Sequence, residues 1–170
     1  LEKEKKYTAG LAINTVSGNK TVSLKGIIDR VDEQNGSVRL IDYKSGQDNK
    51  NFPDIASLFD RDHKSRNKAA MQTMFYGLIY QATHPENTLP LKPAIFNLRE
   101  MFGDDFNPYL QQKIPYKSGV EIDDYRQFED EYKSGLTSLL EDIYNPEIPF
   151  DQTDDLKKCG YCPYKQICGR

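Results

Sequence analysis

An Asn-Gly pair at positions 35 and 36, between two runs of β-forming residues, most restricts the folds open to this chain. Asn and Gly tolerate the positive φ angles of a two-residue type I′ turn, and that turn matches the twist of its flanking strands. The pair therefore predicts a hairpin between residues 21–31 and 38–44. A further β-rich run at residues 7–16 ends in a Ser-Gly-Asn turn signal and predicts a third antiparallel strand.

After this meander the sequence pattern becomes helical. Apolar residues at helical spacing predict helices over residues 65–83 and 122–144, with a strand over residues 93–102 between them. Acidic residues in the first turns of the second helix suit the helix dipole. The element order predicts a mixed α/β fold, a central mixed sheet with an antiparallel start and flanking helices. We expect residues 1–150 to form this core and residues 151–170 a cysteine-containing tail.

Composition narrows the class of protein. The chain has 170 residues, enough for one domain with a real core, and a net charge of −3. No apolar run reaches the roughly 18 residues of a membrane span, and the charged N-terminus is not a secretory signal. We therefore expect no membrane association, and the three cysteines near the end of the chain, an odd number that does not fit a disulfide framework, favour a reducing cytoplasm. Because the first residue is Leu rather than Met, we also expect a piece of a longer protein.

Charge is unevenly distributed along the chain. Two short segments, residues 61–68 and 157–170, are basic, whereas the region between residues 121 and 155 is strongly acidic. Such local basic patches on an acidic chain are compatible with a phosphate-binding surface. Ordinary solvated surface is an equally good interpretation of the charge pattern alone.

The hairpin register predicts that two carboxylates lie side by side. With the Asn-Gly pair in the turn, Asp29 directly faces Asp42, at a spacing where like charges are destabilising. Alternation along the third strand puts Lys44 on the same face as Asp42. Ile27 and Val31 are expected to share the face of Asp29. The sequence thus predicts two carboxylates and an ammonium at the end of an otherwise apolar face.

Two adjacent carboxylates with a lysine within reach are typical of metal-dependent hydrolysis. Carboxylate oxygens, supplemented by waters and a backbone carbonyl, suit Mg²⁺ or Mn²⁺. A lysine beside the ion can orient or deprotonate a water, or stabilise charge that develops on a phosphate. A surface salt-bridge cluster on a hairpin is the alternative that geometry alone leaves open.

Two short motifs carry a family resemblance. GIIDRVD at residues 26–32 and IDYKSG at residues 41–46, separated by one hairpin, closely resemble the RecB-like branch of the PD-(D/E)XK nuclease superfamily. That branch includes the nuclease domains of the RecBCD and AddAB helicase-nucleases. The resemblance implies a restriction-endonuclease-like core and an exonuclease-type, metal-dependent hydrolysis of DNA in repair or recombination. It also implies DNA single strands or duplex ends as substrate and a helicase domain or subunit as partner.

The resemblance assigns roles to individual residues. It implies that Asp29 and Asp42 ligate Mg²⁺ or Mn²⁺, that the backbone carbonyl of Tyr43 is a third ligand, and that Lys44 is the catalytic lysine. The family also has a glutamine and a tyrosine on the helix after the sheet.

Gln72 and Tyr76 match that pair, because they lie one helical turn apart. They are expected to reach the phosphate backbone or the metal-bound water, with a role as polar surface residues as the alternative. The family usually has a further His or Glu ligand on an upstream helix. Glu2 and Glu4 lie too close to the first strand to be given that role, so we expect an incomplete, inactive site in this fragment.

Three cysteines, Cys159, Cys162 and Cys168, form a C-x2-C-x5-C pattern. Their odd number and terminal position do not fit a disulfide framework. Thiolates at this spacing suit zinc or an iron–sulfur cluster, and either needs four ligands. The tail resembles the C-terminal part of the iron–sulfur staple of RecB-like nucleases, which implies a [4Fe-4S] cluster in the full-length parent. In this chain we expect an empty or disordered tail or a Cys159–Cys162 disulfide; cysteines that bind no metal even in the parent are the alternative.

Two other functions stay open alongside a metal-dependent deoxyribonuclease. The first is a nuclease fold without catalysis that binds DNA or acts as a scaffold. The second is an unrelated protein whose zinc-ribbon tail contacts nucleic acid or a partner, with an inert hairpin.

Overall fold

The computed structural model describes residues 1–64, 66–114, 116 and 119–170. It begins with a long hairpin of β1 (Glu2–Thr15) and β2 (Gly18–Gln34), and β3 (Ser37–Lys44) follows. The two residues between β2 and β3 have positive φ angles, 51° at Asn35 and 70° at Gly36, as a type I′ turn requires. The observed β2–β3 register is the one predicted from this turn.

The main sheet is mixed. Its strand order is β1-β2-β3-β5, in which β1, β2 and β3 are antiparallel neighbours and β5 (Leu91–Asn97) runs parallel to β3. A parallel pair needs a crossover connection, which helix α2 (Lys68–Thr83) supplies. The predicted mixed α/β fold, with an antiparallel start and flanking helices, is confirmed and is consistent with a restriction-endonuclease-like core. The elements after β3 are β4 (Asn51–Phe52), α1 (Ala56–Phe59), α2 (Lys68–Thr83), β5 (Leu91–Asn97), β6 (Gln111–Gln112), β7 (Val120–Glu121), a 3₁₀ turn (Tyr125–Gln127), α3 (Glu129–Ile143) and α4 (Leu156–Cys159).

Several elements begin or end elsewhere than predicted. Helix α2 begins at Lys68 because the Asn67 side chain caps it by accepting from the Ala70 amide; position 65, the predicted start, lies outside the described residues. The second predicted helix starts only at Glu129, since β7 and a 3₁₀ turn capped by Asp124 precede it. Strand β5 ends at Asn97, before the predicted end at residue 102.

Helix α2 lies at the centre of the core and is buried around most of its circumference. A glycine permits close approach on each side of it. A Cβ atom at Gly26 on β2 would lie 2.6 Å from Ile79 Cδ1, and one at Gly77 would lie 2.4 Å from the ring of Tyr125. Helix α2 is therefore buried on more than one face, because it packs against the sheet on one side and against later elements on the other.

The alternation of β2 changes phase near Asp29. Ile27 is 55% exposed, whereas Ile28 and Val31 are buried, so the expectation that Ile27 shares a buried face with Val31 is wrong. On β1, Glu4 has a left-handed backbone with φ of 47°. Within these two described strands Glu4 and Asp29 form no ladder pair, although the pairs on both sides of them do form. The alternation of core-facing and outward-facing side chains thus reverses at Glu4 and Asp29. The long hairpin consists of two ribbons that meet there, the outer ribbon being the part that includes the β1–β2 turn.

The tail at residues 151–170 lies largely on the surface. Its side-chain contacts with the core include an Arg61–Asp151 ion pair at 3.1 Å and a hydrogen bond from Lys158 Nζ to the Arg61 carbonyl at 3.4 Å. All three cysteines are free thiols in the structure. In the part of the chain that the structure describes, no helix is both long and apolar enough to span a bilayer.

Candidate active site

Asp42 lies near the end of β3 and is almost completely buried, with 2% of its surface exposed. Its Oδ1 atom accepts a hydrogen bond from the Tyr76 hydroxyl at 3.2 Å. Its Oδ2 atom lies 2.9 Å from Lys44 Nζ. The shared face of Asp42 and Lys44, predicted from strand alternation, therefore appears as a direct ion pair.

Helix α2 closes these contacts into a ring. Lys44 Nζ donates to Gln72 Oε1 at 2.9 Å, and Gln72 Nε2 donates to the Tyr76 hydroxyl at 2.7 Å. Together with the bond from Tyr76 to Asp42, four side chains form a closed circuit, which we call the Asp42 ring (Asp42, Lys44, Gln72 and Tyr76). Tyr76 is buried, so it is not the polar surface residue that sequence reasoning left open; Gln72 is exposed at the ring's edge.

Asp29 sits where β2 diverges from β3. The backbone ladder between these strands ends at Arg30 and Ile41, one residue before Asp29. There the Tyr43 amide donates to Asp29 Oδ2 at 2.9 Å, so a hydrogen bond to a side chain replaces the backbone hydrogen bonds of the ladder. The register places Asp29 and Asp42 at the next opposed positions beyond that last pair, and the charge of Asp29 helps to raise the pKa of Asp42.

Burial dominates the electrostatics of the ring. It raises the pKa of Asp42; the Lys44 ammonium opposes this rise and Asp29 adds to it. Burial, followed by the charge of Asp42, also raises the pKa of Tyr76, which keeps its hydroxyl protonated as a donor. Two carboxylates with one ammonium leave an excess of negative charge that a cation would relieve.

The donor set of the site suits a hard divalent cation. Asp42 Oδ2 is buried and receives no hydrogen bond of regular geometry from the described residues, although the Lys44 ammonium lies at ion-pair distance. A buried carboxylate oxygen without a hydrogen-bond donor lowers the stability of the fold unless a nearby positive charge compensates it. Across the described ranges, no three His, Cys, Asp or Glu side chains gather around one point, so waters and backbone oxygens would have to complete a coordination shell.

A cleft of about 700 Å³ beside Asp29 contains a residue that sequence reasoning set aside. Glu4 lines this cleft, and the register in which Glu2 pairs with Val31 places Glu4 opposite Asp29. Counting from the hairpin turn between β1 and β2 would have shown this proximity. The residues that line the cleft are Lys3, Glu4, Asp29, Arg30 and Tyr43.

Comparison with known protein families gives a match. A family model for the PD-(D/E)XK nuclease superfamily matches residues 2–169. No curated protein and no solved structure matches the chain. Proteins of this superfamily are usually nucleases that act on DNA, typically with divalent metals such as Mg²⁺. Because the match spans nearly the whole sequence, this chain belongs to the PD-(D/E)XK nuclease superfamily.

Proposed function

We propose that this chain is a RecB-like nuclease domain that hydrolyses DNA phosphodiesters with Mg²⁺ or Mn²⁺. Its context is a cytoplasmic DNA repair or recombination protein that works with a helicase domain or subunit, and its substrates are single strands or duplex ends. The observation that carries the proposal is the Asp42 ring, which combines a buried carboxylate with the Lys44 ammonium 2.9 Å from its Oδ2 atom. Such a pairing is suited to binding a cation and a phosphate together.

Different residues of the site have different roles in this mechanism. Asp29, Asp42 and the Tyr43 carbonyl would hold the cation, which when bound supplies a water of lowered pKa and a positive charge near the phosphate. Lys44 donates to a phosphate oxygen as negative charge develops on it. Gln72 holds the Lys44 ammonium in place by accepting from it at 2.9 Å, so it acts as a positioning residue.

Cleavage of a labelled single strand tests this proposal. We expect Mn²⁺-dependent degradation by the full-length protein that EDTA stops, and a loss of about a hundredfold or more in Asp42→Ala and in Lys44→Ala. Asp104→Asn, at an exposed aspartate that is not a member of the ring, is the matched control and should cleave normally. Equal rates in wild type and Asp42→Ala would contradict the assigned mechanism.

A second candidate is a nuclease fold that binds DNA without cleaving it. The observation in its favour is that, among the described residues, no three His, Cys, Asp or Glu side chains gather where they could hold a metal ion. This alternative predicts DNA binding that is unchanged by Mn²⁺ and no cleavage by the full-length protein. The zinc-ribbon alternative predicts zinc alone in the purified parent.

For the tail we propose a structural [4Fe-4S] cluster in the full-length parent, held by Cys159, Cys162, Cys168 and an upstream cysteine. The support is the C-x2-C-x5-C spacing together with three free thiols. Elemental analysis should find iron and sulfide, and Cys162→Ser should lose both. Zinc without iron would contradict the cluster.

A further inference from the structure

A second cleft, of about 540 Å³, opens between the β1–β2 hairpin and α2. It adjoins the Asp42 ring, because Gln72 and Tyr76 line both. Besides Gly26, the rest of the wall comes from two lysines and two large apolar side chains that the proposed chemistry does not use: Lys6, Lys25, Ile27 and Phe75.

The lysines of this cleft lie on one face of the hairpin. Lys6 pairs in register with Ile27, which is two residues from Lys25, so the two lysines are diagonal neighbours. Like charges at such positions repel each other. Both side chains are exposed, and neither forms an ion pair or a hydrogen bond with the described residues. The cleft thus presents two uncompensated positive charges that an anionic ligand would relieve.

Ile27 gives the same cleft an apolar wall. The phase change at Glu4 and Asp29 turns Ile27 outward, where 55% of it is exposed, while its neighbour Ile28 is fully buried. Phe75 lies across the cleft on α2 and is partly exposed. Amines beside exposed apolar and aromatic surfaces match a single-stranded polynucleotide, which offers phosphates and unstacked base faces together. A duplex keeps its base faces stacked and hidden.

We propose that this cleft binds the stretch of single-stranded DNA next to the bond that is cleaved at the Asp42 ring. Lys6 and Lys25 contact two phosphates, and a base packs against Ile27. The proposal rests on the proposed function for the identity of the polymer and for the position of the cleaved bond.

The lysine contacts are tested by salt-dependent binding of labelled oligo-dT in EDTA, which separates binding from cleavage. Each phosphate contact to a single strand contributes about 0.7 to the slope of log K against log salt. The Lys6→Ala, Lys25→Ala double variant should therefore lose about 1.4 from the slope, with weaker binding at low salt. Lys20→Ala is the control, because Lys20 lies on the same hairpin but over the ring of Tyr144; its slope should equal that of wild type.

The apolar contact is tested by comparing oligo-dT with a blunt duplex. Ile27→Ser should weaken single-strand binding about fivefold or more, in line with the loss of one base contact, and should leave duplex binding unchanged. Ile27→Leu keeps an apolar side chain and should bind as wild type does. Since Ile27 is exposed, neither variant should lower the melting temperature appreciably.

The outcomes distinguish this proposal from the one on which it rests. An unchanged salt slope in the double lysine variant overturns the cleft assignment, whether or not the protein cleaves DNA. A reduced slope without any cleavage by the full-length wild type supports the cleft and overturns the nuclease mechanism. Equal losses of single-strand and duplex binding in Ile27→Ser overturn the base contact.

Discussion

The Tyr76 hydroxyl joins a helix to the carboxylate at the end of a strand. It accepts from Gln72 and donates to Asp42 Oδ1, so it lies between the exposed and the buried half of the Asp42 ring. If this hydroxyl is lost, the amide of Gln72 and the Oδ1 atom of Asp42 both lose a partner. Because Asp42 is buried, water cannot readily replace the missing donor.

Tyr76→Phe should lower the cleavage rate about tenfold or more, because Asp42 is then held less firmly, and should cost about 1–3 kcal/mol of stability. Tyr80→Phe is the matched control one helical turn further on. The Tyr80 ring is also buried, but its hydroxyl forms no hydrogen bond with the described residues. Cleavage kinetics and urea unfolding of both variants measure the effect, and similar rates in the two would contradict the role given to Tyr76.

Asp32 is the acid that stabilises the strand pair behind the site. Arg39 donates to it from Nε at 2.7 Å and from Nη2 at 2.8 Å, and Arg30 Nε donates at 2.7 Å. Burial alone would raise the pKa of Asp32, but the hydrogen bonds from Arg39 and Arg30 outweigh it and hold the pKa below its ordinary value. The ionised carboxylate is therefore favoured in the folded state.

This lowered pKa predicts how stability depends on pH. The contribution of Asp32 is fully present above the pKa of the unfolded state, about 3.9, and is lost as pH falls through the lower folded value. Asp32→Asn should thus be less stable than wild type at pH 7, by about 1–3 kcal/mol, and the difference should shrink below about pH 4. Thermal unfolding of both proteins from pH 2.5 to 7 measures it. A difference that stays constant with pH would show that ionisation is not its source.

At the level of elements, the sequence predicts local features well and long-range ones poorly. The Asn-Gly turn fixes the register of β2 and β3, and strand alternation then places Asp42 beside Lys44. The phase change at Asp29 was not predictable in this way, because it coincides with a left-handed residue on a different strand, Glu4. Likewise, the link from Gln72 to Lys44 depends on where α2 packs, which tertiary contacts determine.

The close packing of α2 gives a prediction in which two effects have opposite signs. Intrinsic propensity favours Ala over Gly in a helix by about 1 kcal/mol. A Cβ atom at Gly77, however, would lie within 3 Å of three ring atoms of the fully buried Tyr125.

We expect overpacking to prevail, so that Gly77→Ala lowers stability by about 1–3 kcal/mol. Gly135→Ala on α3 is the comparison. Its Cβ atom would meet the ring of Phe59, which is only partly buried and has room to move, so its cost should be smaller. Urea unfolding of the two variants measures the difference. A stabilised Gly77→Ala would mean that Tyr125 can move away at little cost.

At the scale of the whole molecule, the core and the tail differ in how they are held. The core has a continuous set of buried side chains from β1, β2, α2 and β5 through to α3. No residue of the tail belongs to that buried set. The contacts between Arg61 and the tail involve exposed groups, which contribute little to stability.

Deletion of residues 151–170 should therefore change the melting temperature by less than about 2 °C, since the removed contacts are solvent-exposed. Differential scanning calorimetry of the chain with and without these residues measures this change. A large fall in melting temperature would mean that the tail is part of the core and would contradict a boundary near residue 150.

The phase change at Glu4 and Asp29 has a consequence for how such a protein can diversify. Beyond that point the outer ribbon has its own alternation of core-facing and outward-facing side chains. Whole residue pairs can therefore be inserted into it or removed from it while Asp29 and Asp42 stay in place. The reach of the protein along a polymer can then evolve by changes in ribbon length, independently of the groups that break the bond.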